Sequence, residues 1–575
     1  MKVQQIQQLK LNQNNEQLQK KQPQFKAADA FLRLLATNQA IGATGVDLGF
    51  MVLPRTGTDL VKRGPAAGLE TGRREASGTL NHALIGVYGG AAGAAIAALS
   101  GIGSEYDVKA NRIMAAKETV DILAENKVAQ LKENKHQIDY LKETINNMKA
   151  YNPSSTLADA EGYVSLSHPD LKNTVDDIAK ILDNVILDKK LDFNKWESSN
   201  TENSLKVVMN RLIKETGAES EYVLKSANGT IESKSTLKTM LEDLYKISEA
   251  FNKPKVKEAF EKQIADGKEI AENAFVKAQN KFSRNKALAG FAIGSAVGMS
   301  IQPINIYLTK KKTGSDGFVG VEGREKDKST GFKFLKVGSA AAFWGMVLLT
   351  LKDKTSRTFM DKMAFKSFFP TIEQLKGVYG LTIISRILAT RDKDELRESL
   401  TKDTLGFLSW LVLGDIVNKI TASALDDPNH TVLNTNEKPA KGLWKNIKRA
   451  FNAKLKTRDE VILESLVETN TPLTKLKDGK QVAKTFKDLL KDIDQLPQEA
   501  RNIAKKRLKT LNKAQLAGYA FSGLVLGLGI PNLNIFITNK LDKKRKEKEA
   551  AQAAEQAELA QNMEAMNAAV AYMHS

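Results

Sequence analysis

Three long stretches of the chain contain no charged residue, and each has the length of a membrane-crossing helix. They cover residues 83–103, 287–309 and 514–539. A helix needs roughly 20 predominantly apolar residues to cross a bilayer. Because 27% of all residues are charged, uncharged runs of this length are not expected by chance. The pattern therefore predicts helices inserted in a membrane.

Shorter apolar runs at 337–351, 377–385 and 404–414 extend this pattern. A crossing that includes 377–385 would place Arg386 in the bilayer, which is costly. The alternative is a large soluble protein with buried helices, since 83–103 is mostly Gly and Ala, which insert only weakly. Small residues also allow close helix packing in membranes, and we favour insertion. The suggested crossings lie near 83–103, 287–309, 334–351, 371–390, 404–424 and 514–539.

Two of the long runs carry nearly the same sequence, which predicts an internal duplication. Each opens with Ala-Gly-aromatic-Ala, contains a Pro and closes with Asn-Ile-aromatic-aliphatic-Thr before a Lys-rich tail. A weaker match relates 72–90 to 395–414, where Arg-Glu precedes an apolar helix. The chain is therefore expected to contain two halves that are built alike. The shared positions in the long runs are Pro303, Asn305, Pro531 and Asn534.

The shared Pro and Asn residues allow two interpretations. A Pro lacks an amide proton and frees a carbonyl one turn back, so a helix bends or ends there. Paired interrupted helices in two repeats are typical of a transporter binding site, with Asn305 and Asn534 lining its cavity. Alternatively, the Pro and the aromatic residue only finish each helix at the level of the lipid headgroups, with Lys residues as anchors. We favour the second interpretation, because both Pro residues lie near the basic end of their run.

Two polar inserts separate the apolar runs and are expected to form helical bundles or coiled coils outside the membrane. Apolar residues recur at three-four spacing over 131–148, which predicts one amphipathic helix. The sequence at 167–170 predicts a helix start, and 226–230 predicts a turn. Helices that begin at Pro254 and Pro497 are expected to continue into the apolar runs that follow.

These features divide the chain into consecutive segments. The first is expected to be disordered, because it is rich in Gln, Asn and Lys and lacks the apolar core of a secretory signal. The last is basic and then rich in Ala and Glu, which predicts an exposed helix. The segments are the tail 1–27, the basic lead-in with the first apolar helix 28–103, insert 1 at 104–286, the membrane region 287–425, insert 2 at 426–513, the last apolar helix 514–540 and the C-terminal helix 541–575.

Composition removes most kinds of catalytic chemistry. The chain has no Cys and only five His, and no two His have the spacing of metal ligands. Phosphate-binding loops, nucleophile elbows and zinc-protease motifs are missing from the sequence. Ser399 and Lys402 fit Ser-x-x-Lys, but this pattern has no partner motif here. We therefore expect no enzymatic activity, no catalytic residue, no metal and no cofactor.

The net charge of +19 comes mostly from Lys, and acidic residues are interleaved with it almost everywhere. Such a pattern suits an anionic membrane surface or a positive-inside bias. A nucleic-acid interface would more often combine Arg with aromatic residues on one face, and no such cluster is present. The expected partners are thus the lipid bilayer, a helical protein or a second copy of the chain, and not nucleic acid.

Asp415 and His82 are the two ionisable residues whose position in an apolar run makes them candidates for function. Asp415 follows the apolar run at 404–414 and would lie at membrane depth if the helix continued to Ile420. We favour the alternative, in which the helix ends at Gly414. His82 lies at the start of the first apolar run and is a weaker case of the same kind.

If the chain crosses the membrane six times, the basic segments that flank the apolar runs all lie on one side of it. They precede the first run, follow the second, precede the fifth and follow the last. The positive-inside rule places this side and the C-terminus in the cytoplasm of a cell (inner) membrane. The inserts would then face outward, although they are basic at their own ends as well. If the fourth segment did not cross, the halves would become inverted repeats.

The sequence thus predicts an all-α, multi-pass membrane protein with two internal repeats and helical inserts. Its expected role is structural or scaffolding, through protein-protein contacts of the inserts. A transporter or channel-like protein using the Pro-interrupted helices is the first alternative. A soluble helical protein bound to a membrane surface is the second.

Overall fold

The computed structural model is mostly helical. It describes residues 44–573, apart from 46, 114, 189–204, 220, 227–228, 321–324, 353–358, 364–370, 410–412, 436, 438–441 and 478–479. Helices account for 77% of the structure and the strands are few and short, so the all-α class is confirmed. The expected disordered tail at 1–27 lies outside the described residues.

The first helices carry the Arg- and Glu-rich lead-in and the first apolar run. A π-helical turn, Asp47–Val52, precedes them. Two of the helices meet at Leu84 with a bend of 47°, so the lead-in and the apolar run form two consecutive helices with a sharp bend between them. These helices are α1 (Leu53–Arg63), α2 (Pro65–Ala83), α3 (Ile85–Ser100) and α4 (Ile102–Tyr106).

Insert 1 contains a small sheet among its helices, which the sequence pattern did not predict. The strands are antiparallel in the order β2-β1-β3-β4. Its elements are α5 (Lys117–Lys132), α6 (Gln137–Asn146), β1 (Met148–Tyr151), β2 (Tyr163–Ser165), α7 (Lys172–Asp188), α8 (Leu205–Thr216), β3 (Tyr222–Lys225), β4 (Glu232–Ser235), α9 (Leu237–Phe251) and α10 (Pro254–Ala265).

The described residues in the middle of the chain form helices. The longest of them combines a polar start with the second apolar run. They are α11 (Ala274–Thr313), α12 (Thr330–Leu351), α13 (Phe359–Lys362), α14 (Ile372–Ala389), α15 (Lys393–Leu408) and α16 (Gly414–Leu425).

Insert 2 is smaller and ends in the helix that leads into the last apolar run. A π-helical segment, Ser522–Gly529, joins its two final helices. The elements are β5 (Leu433–Asn434), α17 (Leu443–Phe451), β6 (Lys454–Leu455), α18 (Arg458–Glu468), β7 (Thr474–Lys477), β8 (Lys480–Ala483), α19 (Phe486–Gln495), α20 (Gln498–Phe521) and α21 (Ile530–Met573).

Two expected helices are interrupted in the structure. The apolar pattern over 131–148 is divided among α5, α6 and β1, because the chain turns at Asn134, whose φ is positive. The helix expected to run from Pro254 into the second apolar run stops at Ala265, and α11 begins only at Ala274. The predictions were wrong here because three-four spacing identifies a buried face but not whether the chain stays in one helix.

Other local predictions are confirmed. His168 caps the turn at Pro169, after which α7 begins. Pro497 caps α20, which continues through the start of the last apolar run. The C-terminal helix is confirmed as exposed over its described side chains. The turn expected at 226–230 falls partly outside the described residues.

Three described helices are long and apolar enough to cross a membrane, or four if α2 and α3 form one broken span. They are Ala274–Thr313, Thr330–Leu351 and the joined helix Gln498–Glu564. Only 22% of the apolar window of α12 is buried, so most of its apolar surface faces outward. These findings indicate association with a membrane. The further crossings expected at 371–390 and 404–424 stay predictions.

All these helices run between the same two ends of the molecule. Arg73 in the middle of α2 donates to Thr309 near the end of α11 at 2.8 Å, and Asn81 near the end of α2 donates to the carbonyl of Gly294 at 3.1 Å, so α2 is antiparallel to α11. A Cβ added at Gly294 would meet Val378, and one at Gly298 would meet Thr382, so α14 is parallel to α11. Insert 1 therefore leaves at one end of the bundle, and the basic segments lie at the other.

The two inserts leave from the same end and share one hydrophobic core. This core combines residues of α5 to α10 with Ile462, Leu463 and Leu466 of α18 and Leu489 and Ile493 of α19. Polar contacts reinforce the junction, since Glu460 accepts from the amide of Glu219 at 2.7 Å. The two inserts, which the sequence separates, thus form a single helical body.

An aromatic cluster connects the body formed by the inserts to α11. Phe251 of α9 packs edge-on against Phe260 of α10 and against Phe275 in the first turn of α11. Tyr106 of α4 also packs edge-on against Phe275. Because α11 continues into the second apolar run, this cluster fixes the position of insert 1 relative to that run.

The Phe251→Ala variant is expected to destabilise the protein by about 3–5 kcal/mol, because it leaves a cavity among fully buried rings. Denaturant unfolding in detergent would measure this change. The matched control is Leu559→Ala, which truncates a side chain that is 57% exposed and is expected to leave the midpoint unchanged. Equal effects of both substitutions would contradict the assignment of this core.

Candidate functional site

The main polar feature of the bundle is a network of charged side chains buried where α1, α2, α14 and α15 meet. It lies toward the basic end of the helices. A charge removed from water is costly unless it is paired and hydrogen-bonded. The buried members are Arg55, Asp59, Glu70, Arg74, Glu75, Arg386, Arg391, Glu395, Glu398, Lys402 and Asp403.

Glu75 is the centre of this network. Its Oε2 lies 3.4 Å from a guanidinium nitrogen of Arg55 and 3.4 Å from one of Arg386. Its Oε1 lies 3.1 Å from Arg74 and 3.5 Å from Lys402. One carboxylate on α2 thereby contacts cations from α1, α14 and α15 as well as its own helix.

Arg386 is held by a second carboxylate and by the backbone. Its Nη1 donates to Asp403 at 2.9 Å, and its Nη2 donates to the carbonyl of Arg74 at 3.3 Å. Ser399 donates to the other oxygen of Asp403 at 2.8 Å. These contacts offset part of the cost of burying Arg386. Its Nε is buried and has no hydrogen-bond partner among the described residues.

Two salt bridges between different helices lie at the basic end of the network. Arg63 at the end of α1 pairs with Glu398 of α15, while Arg391 after α14 pairs with Glu70 of α2 at 2.6 Å. Phe318, from the segment after α11, lies under both guanidinium groups, at 5.4 and 5.9 Å from its ring centre. This geometry is that of two cation–π contacts on one ring.

The two Glu residues of α15 differ in their pKa. Burial raises the pKa of Glu398, but the hydrogen bond and charge of Arg63 outweigh it, so the pKa lies below its ordinary value. Burial also raises the pKa of Glu395, and Arg391 does not fully offset this effect. Glu70 competes for the same guanidinium and raises the pKa of Glu395 further.

Two glycines make room for the buried arginines. A Cβ at Gly78 of α2 would lie 3.0 Å from Nη2 of Arg386, and one at Gly406 of α15 would lie 3.2 Å from Nη2 of Arg55. Both distances are shorter than an ordinary van der Waals contact. A side chain at either position would therefore require the guanidinium group to shift by a few tenths of an ångström.

The space inside the network is small. A cavity of about 30 Å³ is lined by Asp59, Arg63, Gln302 and Phe318 among others. A water molecule needs at least 10–15 Å³ of such volume, so roughly two could fit. The cavity can hydrate the ion pairs, but in this conformation it cannot hold a larger solute.

The shared Pro residues do not end their helices. Pro303 lies inside α11, which continues to Thr313, and Pro531 lies in the first turn of α21, which follows the π-helical segment directly. The interpretation that they finish a helix at the headgroup level was therefore wrong. Both helices continue because other side chains bind the carbonyls that the prolines free.

These carbonyls accept hydrogen bonds from outside their own helix. Pro303 cannot donate to the carbonyl of Met299, which accepts from Ser385 of α14 at 2.5 Å. In the π-helical pattern Pro531 would donate to the carbonyl of Leu526, which instead accepts from Arg55 at 3.2 Å. The second contact links a shared Pro directly to the buried network.

The shared Asn residues are both buried but have different surroundings. Nδ2 of Asn534 donates to the carbonyl of Glu398 at 3.1 Å. Nδ2 of Asn305 is buried and has no hydrogen-bond partner among the described residues. The residues lining the small cavity include Gln302 but neither Asn.

His82 and Asp415 occupy different environments. His82 is buried in the last turn of α2, with its ring edge-on to Tyr379 at 4.6 Å. Asp415 lies in the first turn of α16 and pairs with Lys419 at 2.8 Å, while its side chain is 62% exposed. Helix α16 covers Gly414–Leu425, but residues 410–412 lie outside the described part of the chain, so the expected helix end at Gly414 stays a prediction. Asp415 is not part of the buried network.

The sequence singles out two members of this network: Arg386, as a cost of the fourth crossing, and Lys402, within Ser-x-x-Lys. The Arg and Lys residues before the first and fifth runs count there only as basic flanks. A usable signal was present, because both segments place acidic and basic residues on helices next to apolar runs. Only their three-dimensional proximity shows that they pair with each other.

Comparison with protein-family models, with curated proteins and with solved structures finds no match to this chain. Within the described part, no group of three or more His, Asp or Glu side chains is placed to hold a metal ion. The charged side chains of the network bind each other, and the chemistry they support is the joining of helices.

The Glu75→Gln variant is expected to lower the free energy of unfolding by about 3–5 kcal/mol, because it leaves four cations around a neutral group. Thermal unfolding in detergent measures the effect. Asp266→Asn is the control, since it breaks an ion pair with Lys268 that is largely exposed and is expected to leave the stability nearly unchanged. A Glu75→Gln protein as stable as the control would show that the network does not hold the helices together.

Proposed function

We propose that this protein is a non-enzymatic, integral membrane protein of structural or scaffolding type. Its helical base would hold the joined inserts at a fixed position above the bilayer for contact with other proteins. The observation that carries this proposal is the buried ion-pair network, which ties four helices together and leaves room only for water. The apolar side chains that α11, α12 and α21 leave exposed, such as Ile304, Phe334 and Phe536, support insertion.

We further propose that the base consists of two parallel repeats. One would contain α1, α2, α3 and α11, and the other α14, α15, α16 and α20–α21. Matching contacts support this division, since Arg73 donates to Thr309 and Arg397 donates to Thr538, the Thr residues that end the duplicated sequence. The Arg63–Glu398 and Arg391–Glu70 salt bridges would then join the repeats to each other.

The orientation follows from the charge at the two ends of the base. The segments around Arg63, Lys310 and Arg391 lie at one end, and the inserts lie at the other. By the positive-inside rule, the basic end and the start of the C-terminal helix would be cytoplasmic, in a cell (inner) membrane. Both inserts would face outward, with a helical protein or a second copy as their partner.

A transporter or channel-like function is the second candidate, and one observation favours it. Asn305 and Gln302 each keep a buried polar atom without a hydrogen-bond partner among the described residues. Unpaired polar groups at membrane depth are unusual and occur along solute pathways. Because the cavity beside Gln302 is so small, transport would require the ion-pair network to open.

Insertion and orientation can be tested together, because the chain contains no Cys. The protein is expected to remain with membranes washed in alkaline carbonate, whereas extraction would support a soluble, surface-bound protein. A membrane-impermeant maleimide is expected to label Glu133→Cys and Lys268→Cys in insert 1 from outside. It is expected to label Lys312→Cys and Ser315→Cys only after permeabilisation.

Labelling of both pairs from the same side would contradict the proposed base, since α11 would then not cross. The opposite order would leave the parallel arrangement intact but reverse the orientation. Asp542→Cys at the basic end provides an internal control, because it should follow Lys312→Cys in either case.

The two Asn residues distinguish a structural role from transport. Asn534→Leu is expected to destabilise the protein by about 1 kcal/mol through loss of its hydrogen bond, whereas Asn305→Leu should be neutral or stabilising. Unfolding in detergent measures both. If instead both variants kept their stability and abolished an ion or solute flux that the unaltered protein shows in proteoliposomes, the transport function would be correct.

A further inference from the structure

Helix α17 of insert 2 presents its apolar side to the outside and its polar side to the protein. Leu443, Trp444 and Phe451 are 67%, 81% and 64% exposed. At 100° per residue they lie within one third of the helix circumference. An ordinary surface helix has the opposite arrangement, with its apolar face in the core.

The inner side of α17 is held by polar contacts. Arg449 is buried and pairs with Asp426 at 2.6 Å, and its Nε donates to the carbonyl of Glu437 at 2.8 Å. Ser423 at the end of α16 donates to Asn446 at 3.0 Å. These contacts fix the rotation of α17, so its outward apolar face is imposed by the fold.

The position of α17 is at the level where the last apolar run begins. Ala453, just after α17, packs in one cluster with Ala422 of α16 and with Leu511 and Ala514 of α20. Residue 514 is the first of the uncharged run 514–539. The helix therefore lies at the boundary between the proposed bilayer and insert 2.

We propose that α17 lies in the plane of the membrane interface and anchors insert 2 to the lipid. Its apolar face would enter the boundary between headgroups and acyl chains, where Trp is favoured. Lys445 and Lys448 are exposed beside this face and would contact anionic headgroups. This inference rests on the proposed membrane insertion and specifies which surface of the insert touches lipid.

Lipid is a better occupant than a protein partner for this face. Ala453 after α17 packs with Ala514, and the exposed Leu516 follows two residues later at the start of the last span, so one environment can cover both surfaces. Lys445 and Lys448 are exposed beside the face, as expected for a surface that meets phosphate groups.

The test uses single Cys variants of the full chain, labelled with an environment-sensitive fluorophore in phosphatidylcholine vesicles containing phosphatidylglycerol. Lipids that carry a nitroxide on the acyl chain quench only labels that reach the apolar layer. Trp444→Cys and Phe451→Cys are expected to be quenched at least twofold more than Leu476→Cys. Leu476 is also exposed and apolar, but it lies in the chain before α20. The start of α20 is itself roughly 20 Å along the helix from residue 514, where the uncharged run begins.

Phe334→Cys on α12 separates the two levels of the proposal. If this label is quenched but those at 444 and 451 are not, insertion is correct and the anchoring role of α17 is wrong. If the label at 334 is not quenched, the proposed membrane insertion itself fails. A blue-shifted label at 444 that resists nitroxide lipids and depends on protein density would indicate a second copy and overturn the lipid assignment.

Further variants test the proposed contact of Lys445 and Lys448 with anionic headgroups. Lys445→Gln with Lys448→Gln, combined with Trp444→Cys, is expected to reduce quenching when phosphatidylglycerol is present. The same combination should change nothing in pure phosphatidylcholine. Equal quenching in all four samples would contradict the proposed contact of the lysines with anionic headgroups.

Discussion

The bundle depends on the burial of one carboxylate among cations that come from different helices. Glu75 contacts Arg55, Arg74, Arg386 and Lys402. Coulomb attraction in a poorly hydrated interior is strong, but it stabilises a structure only when every charge keeps its partners. No single helix can separate from this group without leaving unpaired charges, so the network specifies how α1, α2, α14 and α15 meet.

This constraint explains features that otherwise look like defects of a membrane helix. Two prolines free backbone carbonyls inside long helices, and Ser385 and Arg55 from neighbouring helices bind them. Two glycines leave space for the guanidinium groups of Arg386 and Arg55. The freed carbonyls thus find hydrogen-bond donors on neighbouring helices, which in a membrane would replace the missing water. These contacts join the helices of the bundle to each other.

The inserts illustrate a different balance of forces. Their shared core contains fully buried aromatic and aliphatic side chains, including the Phe251 cluster above α11. A hydrophobic core of this kind needs no membrane to form. The two bodies meet at α11, α16 and α20, and the outward apolar face of α17 lies at that junction. A protein that held a rigid platform at a bilayer surface would need this combination of parts.

The sequence alone determined the apolar runs, the basic ends and the helical class, because these properties depend on composition and on local periodicity. It also placed the helix starts at Pro169 and Pro497, where a single residue restricts the backbone. The sheet of insert 1, the break after Lys132 and the union of the inserts were decided by tertiary contacts. The same is true of the buried network. Arg63 and Glu398 are far apart in the chain, and only folding brings opposite charges together where water is excluded.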